Sequence, residues 1–287
     1  MNEFNFNPKI TDFSFQNALA LAEASKLAYE DKYNYKKILG EWGFSGVCAL
    51  DKKGTQGFVA KRTDMLLIAF RGTEQTKIED ILADILVFQN NSKLGKVHYG
   101  FLRALKFIWK DLLKALQALQ DDNQCIWLTG HSLGGALATL AAAKLASENK
   151  QNIKGIYTYG KPRVGNNEFK MNFEKLFKKG AYRVTNFRDP IAIIPFSIGR
   201  ILKWNIDFQY HHSGKMILFN ESGSIAKESE KCPRSELIWL SIGIAVIASV
   251  IKILKRLKIA GRLVEYINSL AEPHSLEKYI ENIKKNI

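Results

Sequence analysis

Between Cys125 and Ala146 the chain passes from a short apolar run, through the turn Gly130-His131-Ser132-Leu133-Gly134-Gly135, into a stretch dense in Ala and Leu. A short apolar run bounded by glycine fits a buried strand, and Ala and Leu are strong helix formers, so the spacing predicts strand, tight turn, helix. A strand that hands directly to a helix is the unit from which parallel sheets are built. The alternation continues on both sides. Met65 to Phe70, Ile153 to Tyr159 and Ala181 to Phe187 read as further strands, while Asn17 to Tyr29 and Gly100 to Leu119 carry apolar residues at helical spacing. The expectation is an α/β chain with a mostly parallel central sheet of at least four strands, flanked by helices. Its 287 residues, 46% of them hydrophobic and 24% charged, suit a single domain over 1–287.

Gly130-His131-Ser132-Leu133-Gly134 is a G-x-S-x-G pentapeptide. The flanking glycines permit a strained turn that lifts the serine hydroxyl above the sheet edge. A hydroxyl is a poor nucleophile at neutral pH, so it needs a general base within hydrogen-bond reach and a third group to orient that base. Nucleophiles on such turns use the chain order Ser, then Asp or Glu, then His. Asp189 follows the strand Ala181 to Phe187 and precedes Pro190, at a strand's carboxyl end. His211, His212 and His274 all come later. The first two fall in Phe208 to Phe219, which reads as a strand and gives them a role in the sheet. His274 lies in a turn after Pro273 and before Ser275, an N-cap for the helix Leu276 to Ile283, and is the better-placed base. Acyl transfer also needs donors for a developing oxyanion. The N–H of Leu133, next after the serine, is one; Thr73, in the strand exit Arg71-Gly72-Thr73, supplies a second.

Charge narrows the partners. Lys and Arg total 42 against 28 Asp and Glu, leaving +14, with eleven Lys/Arg against four Asp/Glu in 161–216 and five against none in 252–262. Such a balance draws a protein toward polyanions, nucleic acid or anionic lipid. No RNA-recognition signature, zinc-finger spacing or basic zipper accompanies it, so nucleic acid is not the expected partner. Three scattered cysteines offer no disulfide framework, and five histidines show no metal-ligand spacing, so neither metal nor organic cofactor is expected. The opening residues lack a cationic start followed by an apolar run. That leads us to expect a cytoplasmic protein, or one exported by a signal-independent route.

Six blocks carry a family resemblance: IAFRGT (68–73), VHYGF (97–101), LTGHSLGGALATLAA (128–142), YTYGKPRVGNNEF (157–169), RVTNFRDPIAIIP (183–195) and EPHSLEKY (272–279). In this order they resemble the fungal-type class 3 lipases of the α/β-hydrolase superfamily, over roughly residues 15–220 and 272–283. The resemblance implies an α/β-hydrolase fold and a carboxylic-ester hydrolase acting on acylglycerols or phospholipids. It implies Ser132 as nucleophile, Asp189 as orienting acid, His274 as base, and Thr73 with Leu133 as the oxyanion hole. It also places Tyr210 to Gly214 on a strand and makes the segment 75–90 a lid helix. Ile78, Ile81, Leu82, Ile85 and Leu86 on one face agree with the latter.

The departure from the family is the 85-residue separation of Asp189 from His274. It contains an uncharged run of fifteen residues, 237–251, followed by a basic amphipathic stretch. A spanning helix needs about 20 apolar residues. We therefore expect 235–270 to be a helical insertion on the active-site face, serving as a second lid or a peripheral membrane contact.

Overall fold

The computed structural model describes residues 3–73, 88–121, 124–195, 210–226 and 272–287. Most of the expected lid helix and the whole of 235–270 lie outside them.

Helix α1 (Phe15–Leu27) starts where the Ser14 hydroxyl accepts the Asn17 N–H, and α2 (Lys32–Glu41) where Asp31 accepts from Tyr33 and Asn34. Both caps satisfy donors that a helix start leaves orphaned. Strands β1 (Gly46–Lys52) and β2 (Thr55–Arg62) form a hairpin through Lys53 and Gly54, both at positive φ. That two-residue turn matches the twist of the flanking strands. β3 (Met65–Phe70) follows and is buried throughout. A separate hairpin, β4 (Gln89–Ser92) with β5 (Gly95–His98), precedes the long helix α3 (Tyr99–Leu119). Next come β6 (Ile126–His131), α4 (Leu133–Glu148), β7 (Ile153–Tyr159), α5 (Asn167–Leu176), β8 (Ala181–Asn186), β9 (Lys215–Phe219) and α6 (Leu276–Lys284).

The main sheet has the order β1-β2-β3-β6-β7-β8-β9. β1, β2 and β3 pair antiparallel, and every pair from β3 to β9 is parallel. Two cores follow. One face packs α1, α2 and α6 through Leu21, Phe58, Trp127, Tyr159 and Tyr279; the other packs α3, α4 and α5 through Ile68, Leu105, Leu128, Leu137 and Phe169. Helix α4 is buried on nearly every side, so it shows no polar stripe. With a helical layer on each face, the carboxyl ends of the parallel strands form the edge where loops can carry chemistry.

Two expectations need correction. The strand expected over Phe208 to Phe219 begins at Lys215. Tyr210 to Gly214 contribute one isolated bridge, His211 to Gly165. The chain turns at Gly214 (φ 88), and Ser213 is held by Lys161, whose Nζ donates to its carbonyl at 3.0 Å. The expected lid helix to Asn90 is also too long at its end, because Gln89 and Asn90 pair with His98 and Val97 in a strand. Among the described residues no helix is long and apolar enough to cross a membrane.

Candidate active site

Ser132 stands between β6 and α4 with φ 55 and ψ −128, a conformation that costs an L-residue about 1–3 kcal/mol and persists only where its surroundings enforce it. The enforcement is visible. Its N–H donates to the Tyr159 carbonyl at 2.9 Å, and its carbonyl accepts the Gly135 N–H at 3.0 Å. A Cβ on Gly130 would strike the Gly134 backbone, and one on Gly134 the Phe70 carbonyl, so both glycines are there for close approach. The strand exit after β3 is equally tight. A Cβ on Gly72 would lie 2.6 Å from the His131 carbonyl oxygen and 3.3 Å from the Ser132 Cβ, which sets Thr73 in a loop against the elbow. Leu133 opens α4, so its N–H is one of those a helix start leaves without an intrahelical acceptor.

Asp189 follows β8 and is 2% exposed; His274, in a single turn of 3-10 helix before α6, is 1% exposed. The His274 Nδ1–H donates to Asp189, 2.9 Å from Oδ1 and 3.0 Å from Oδ2. Three further donors reach that carboxylate: the Tyr279 hydroxyl at 2.5 Å and the N–H groups of Ile191 and Ala192 at 2.8 and 3.2 Å. Burial alone would push the Asp189 carboxyl up, but His274 and the Tyr279 hydroxyl outweigh it and hold the group below the usual carboxylate range. Gly160, at φ 56, lies over this pair: a Cβ there would come 2.7 Å from Asp189 Oδ2 and 2.8 Å from His274 Nδ1.

With Nδ1 carrying the proton, His274 Nε2 presents its lone pair. Among the described residues, Ser132 Oγ and His274 Nε2 are each buried without a hydrogen-bond partner. The two atoms are therefore not hydrogen-bonded to each other, and a catalytic hydrogen bond of this kind can form as late as substrate binding.

His131 anchors His274 from behind. Its Nε2 is 2.7 Å from the His274 carbonyl oxygen, which can only accept, so Nε2 carries the hydrogen; Nδ1 then accepts from the Tyr29 hydroxyl at 3.0 Å. Burial, with His274 beside it, pushes the His131 pKa down to about 3, so the ring is neutral and keeps this tautomer at ordinary pH. The two imidazoles lie 4.5 Å apart.

Asp189 and His274, which sequence order proposed, thus meet across 85 residues. His211 donates its backbone N–H to Gly165, and His212 is half-buried with Arg183, Arg163 and Lys161 acting on it, so neither joins them. Sequence reading missed Tyr279, Tyr29 and Gly160. Tyr279 reads as one more member of the apolar stripe of α6; the signal was its place five residues after His274, one helical turn into α6.

Tyr279→Phe would take one donor from Asp189 and the acceptor from the Asn186 N–H, 3.0 Å from the Tyr279 oxygen. Because the folded pKa of Asp189 is depressed, its ionised form adds stability above about pH 4 that is lost as pH falls through the folded value. The variant should lose about 1.5–3 kcal/mol near neutral pH, and its gap to wild type should narrow below about pH 4. Urea unfolding at both pH values reads this; an unchanged gap would mean the hydroxyl acts through packing alone.

The layered fold and the strained serine elbow at the sheet edge are those of an α/β-hydrolase. The family model for Lipase (class 3) matches residues 67–198, and over that stretch the chain is similar to the class 3 lipases. The secreted mono- and diacylglycerol lipase 1 of Fusarium solani is 42% identical over 101 residues, 34% of this chain and 29% of that protein. The triacylglycerol lipase OBL1 of Arabidopsis thaliana is 26% identical over 255 residues, 69% of this chain and 48% of that protein. The chain thus spans half or less of the length of these relatives. Among solved structures, the mono- and diacylglycerol lipase of Aspergillus oryzae shares the fold with a TM-score of 0.58 at 22% identity, covering 72% of this chain and 80% of that one. The lipase of Rhizopus microsporus var. chinensis superposes with a TM-score of 0.55 at 26% identity, covering 73% and 76%.

Proposed function

We propose that the protein is a serine carboxylic-ester hydrolase that releases fatty acid from acylglycerols or phospholipids through an acyl-enzyme. Ser132 Oγ attacks the ester carbonyl while His274 Nε2 takes its proton. The oxyanion is met by the Leu133 N–H and Thr73 at the positive start of α4. Collapse expels the alcohol, which takes the proton back from His274. Water, deprotonated by the same nitrogen, then cleaves the acyl-Ser132 ester, freeing the acid and the serine. Asp189 fixes the tautomer and stabilises the imidazolium.

The observation that carries this reading is that, among the described residues, a buried Ser132 hydroxyl in a strained turn and the remaining nitrogen of an Asp189-bound His274 are both without a hydrogen-bond partner. Relatives named mono- and diacylglycerol lipase, triacylglycerol lipase and phospholipase A1 support the substrate class. The charge of +14 favours phospholipid on anionic surfaces, with 235–270 as the peripheral contact. Fatty-acid release is measured by mass spectrometry from mixed phospholipid vesicles, a triacylglycerol emulsion and a short p-nitrophenyl ester. Release from a lipid substrate is expected; cleavage of the short ester alone would replace the reading with a small-ester hydrolase, and no cleavage with a binding shell.

A further inference from the structure

At the far end of α4 from Ser132, about 20 Å away by helix rise, a cavity of about 280 Å³ opens between α3, α4, α5 and the β4–β5 hairpin. That volume is near the lower end of the roughly 300–1,000 Å³ of small-molecule sites. Its construction follows from helical spacing. Leu102, Leu105 and Lys106 lie on one face of α3; Leu140, Ala143, Lys144 and Ser147 lie on one face of α4. Where these faces diverge, Phe169 of α5 and the hairpin turn close the gap, the latter tied down by Lys93 Nζ donating to the Ser147 carbonyl at 3.0 Å.

The cavity is amphiphilic. Its floor, with Leu105, Leu140, Ala143 and Phe169, is buried and apolar. Its rim holds three ammonium groups, Lys93, Lys106 and Lys144, against one carboxylate, Glu148, which Lys144 engages at 3.5 Å. Lys106 is exposed and has no carboxylate partner among the described residues. The Ser147 Oγ, also on the wall, is buried without a hydrogen-bond partner among the described residues, a condition that costs energy until an acceptor or donor reaches it.

We infer that this cavity is a second site for the carboxylate of a medium-chain fatty acid, its tail on the leucine and phenylalanine floor and its head on Lys106, Lys93 and the Ser147 hydroxyl. A free inorganic anion would leave the apolar floor unused, and a neutral ester or alcohol would leave the cations unused. The choice of a fatty acid among anionic amphiphiles rests on the proposed hydrolase reading, whose product it is.

The test uses the full chain carrying Ser132→Ala, which cannot turn over, titrated calorimetrically with sodium decanoate and with 1-decanol. Saturable decanoate binding is expected, about ten-fold weaker when Lys106→Glu is added, as loss of a charged hydrogen bond implies. Ala143→Leu, which fills the cavity and removes no charge, should weaken it at least as much. Both substitutions on the wild-type background should leave initial hydrolysis rates unchanged. Decanoate affinity indifferent to both substitutions, decanol binding as tight as decanoate, or no decanoate binding would each overturn the inference. Binding that follows this pattern in a chain that hydrolyses no ester would keep the site and sink the hydrolase reading instead.

Discussion

Ser132→Ala is expected to lower kcat for ester hydrolysis by about six orders of magnitude, the scale on which loss of a triad serine acts, and to leave the protein at least as stable as the wild type. The second half is the more diagnostic. In most buried positions loss of a hydroxyl breaks a hydrogen bond, but Ser132 Oγ has no partner among the described residues, and its residue is 1% exposed. Removing a buried group with no partner returns a desolvation cost of about 1–3 kcal/mol. The backbone strain at φ 55 stays, since alanine pays the same steric cost. Ser132→Gly should therefore be more stable again. Thermal unfolding of the three proteins, beside single-turnover kinetics, checks both halves. A destabilised Ser132→Ala protein would show that the hydroxyl is a structural bond, and the proposed nucleophile would lose its main support.

Asp189→Asn should lower kcat by about four orders of magnitude while KM changes little. Asp189 accepts from His274, Tyr279, Ile191 and Ala192 and donates to none of them. An asparagine in its place must aim an NH2 at groups that are already donors. The least costly adjustment moves the His274 proton from Nδ1 to Nε2, so that Nδ1 accepts the new N–H. Nε2, the nitrogen proposed to take the serine proton, then has no lone pair, and substrate binds but is not attacked. A variant that retained more than a hundredth of wild-type kcat would mean that backbone packing, not the carboxylate, sets the histidine tautomer.

The elements that sequence made legible are those with a strong period or a steric necessity. Met65–Phe70 is apolar at every position and buried at every position, and the strand was readable to the residue. Ser132 stands out in the sequence because the positions two before and two after it, Gly130 and Gly134, have to be glycine. The hairpin β1–β2 was not readable, since GVCALDK and TQGFVAKR mix charges into strands that neither alternate cleanly nor run wholly apolar. Its turn, Lys53-Gly54, also lacks the Asn or Asp that usually marks such a corner. The strand expected from Phe208 failed for a tertiary reason: Lys161, 2% exposed, takes the Ser213 carbonyl that a ladder would have used. Asp189 and His274 were proposed from chain order and turn context, and they meet in the structure, but the groups around them were invisible. The Tyr279 hydroxyl and the Tyr29 hydroxyl act from side chains that look like core, and a pattern of apolar positions does not say where one oxygen points.

The partners of the proposed nucleophile arrive late. His274 stands 143 residues after His131, on the turn that enters α6, and α6 seats itself on α1 through Leu276, Tyr279, Ile280 and Ile283 with ion pairs from Lys26 to Glu277 and Lys284 to Glu23. Helices α1 and α6 therefore close on each other as His274 is brought to Asp189. During synthesis the central sheet and the serine elbow can fold while the base is still inside the ribosome. On the proposed reading, a growing chain stays inert until α6 has emerged and docked on α1, so synthesis itself delays the chemistry.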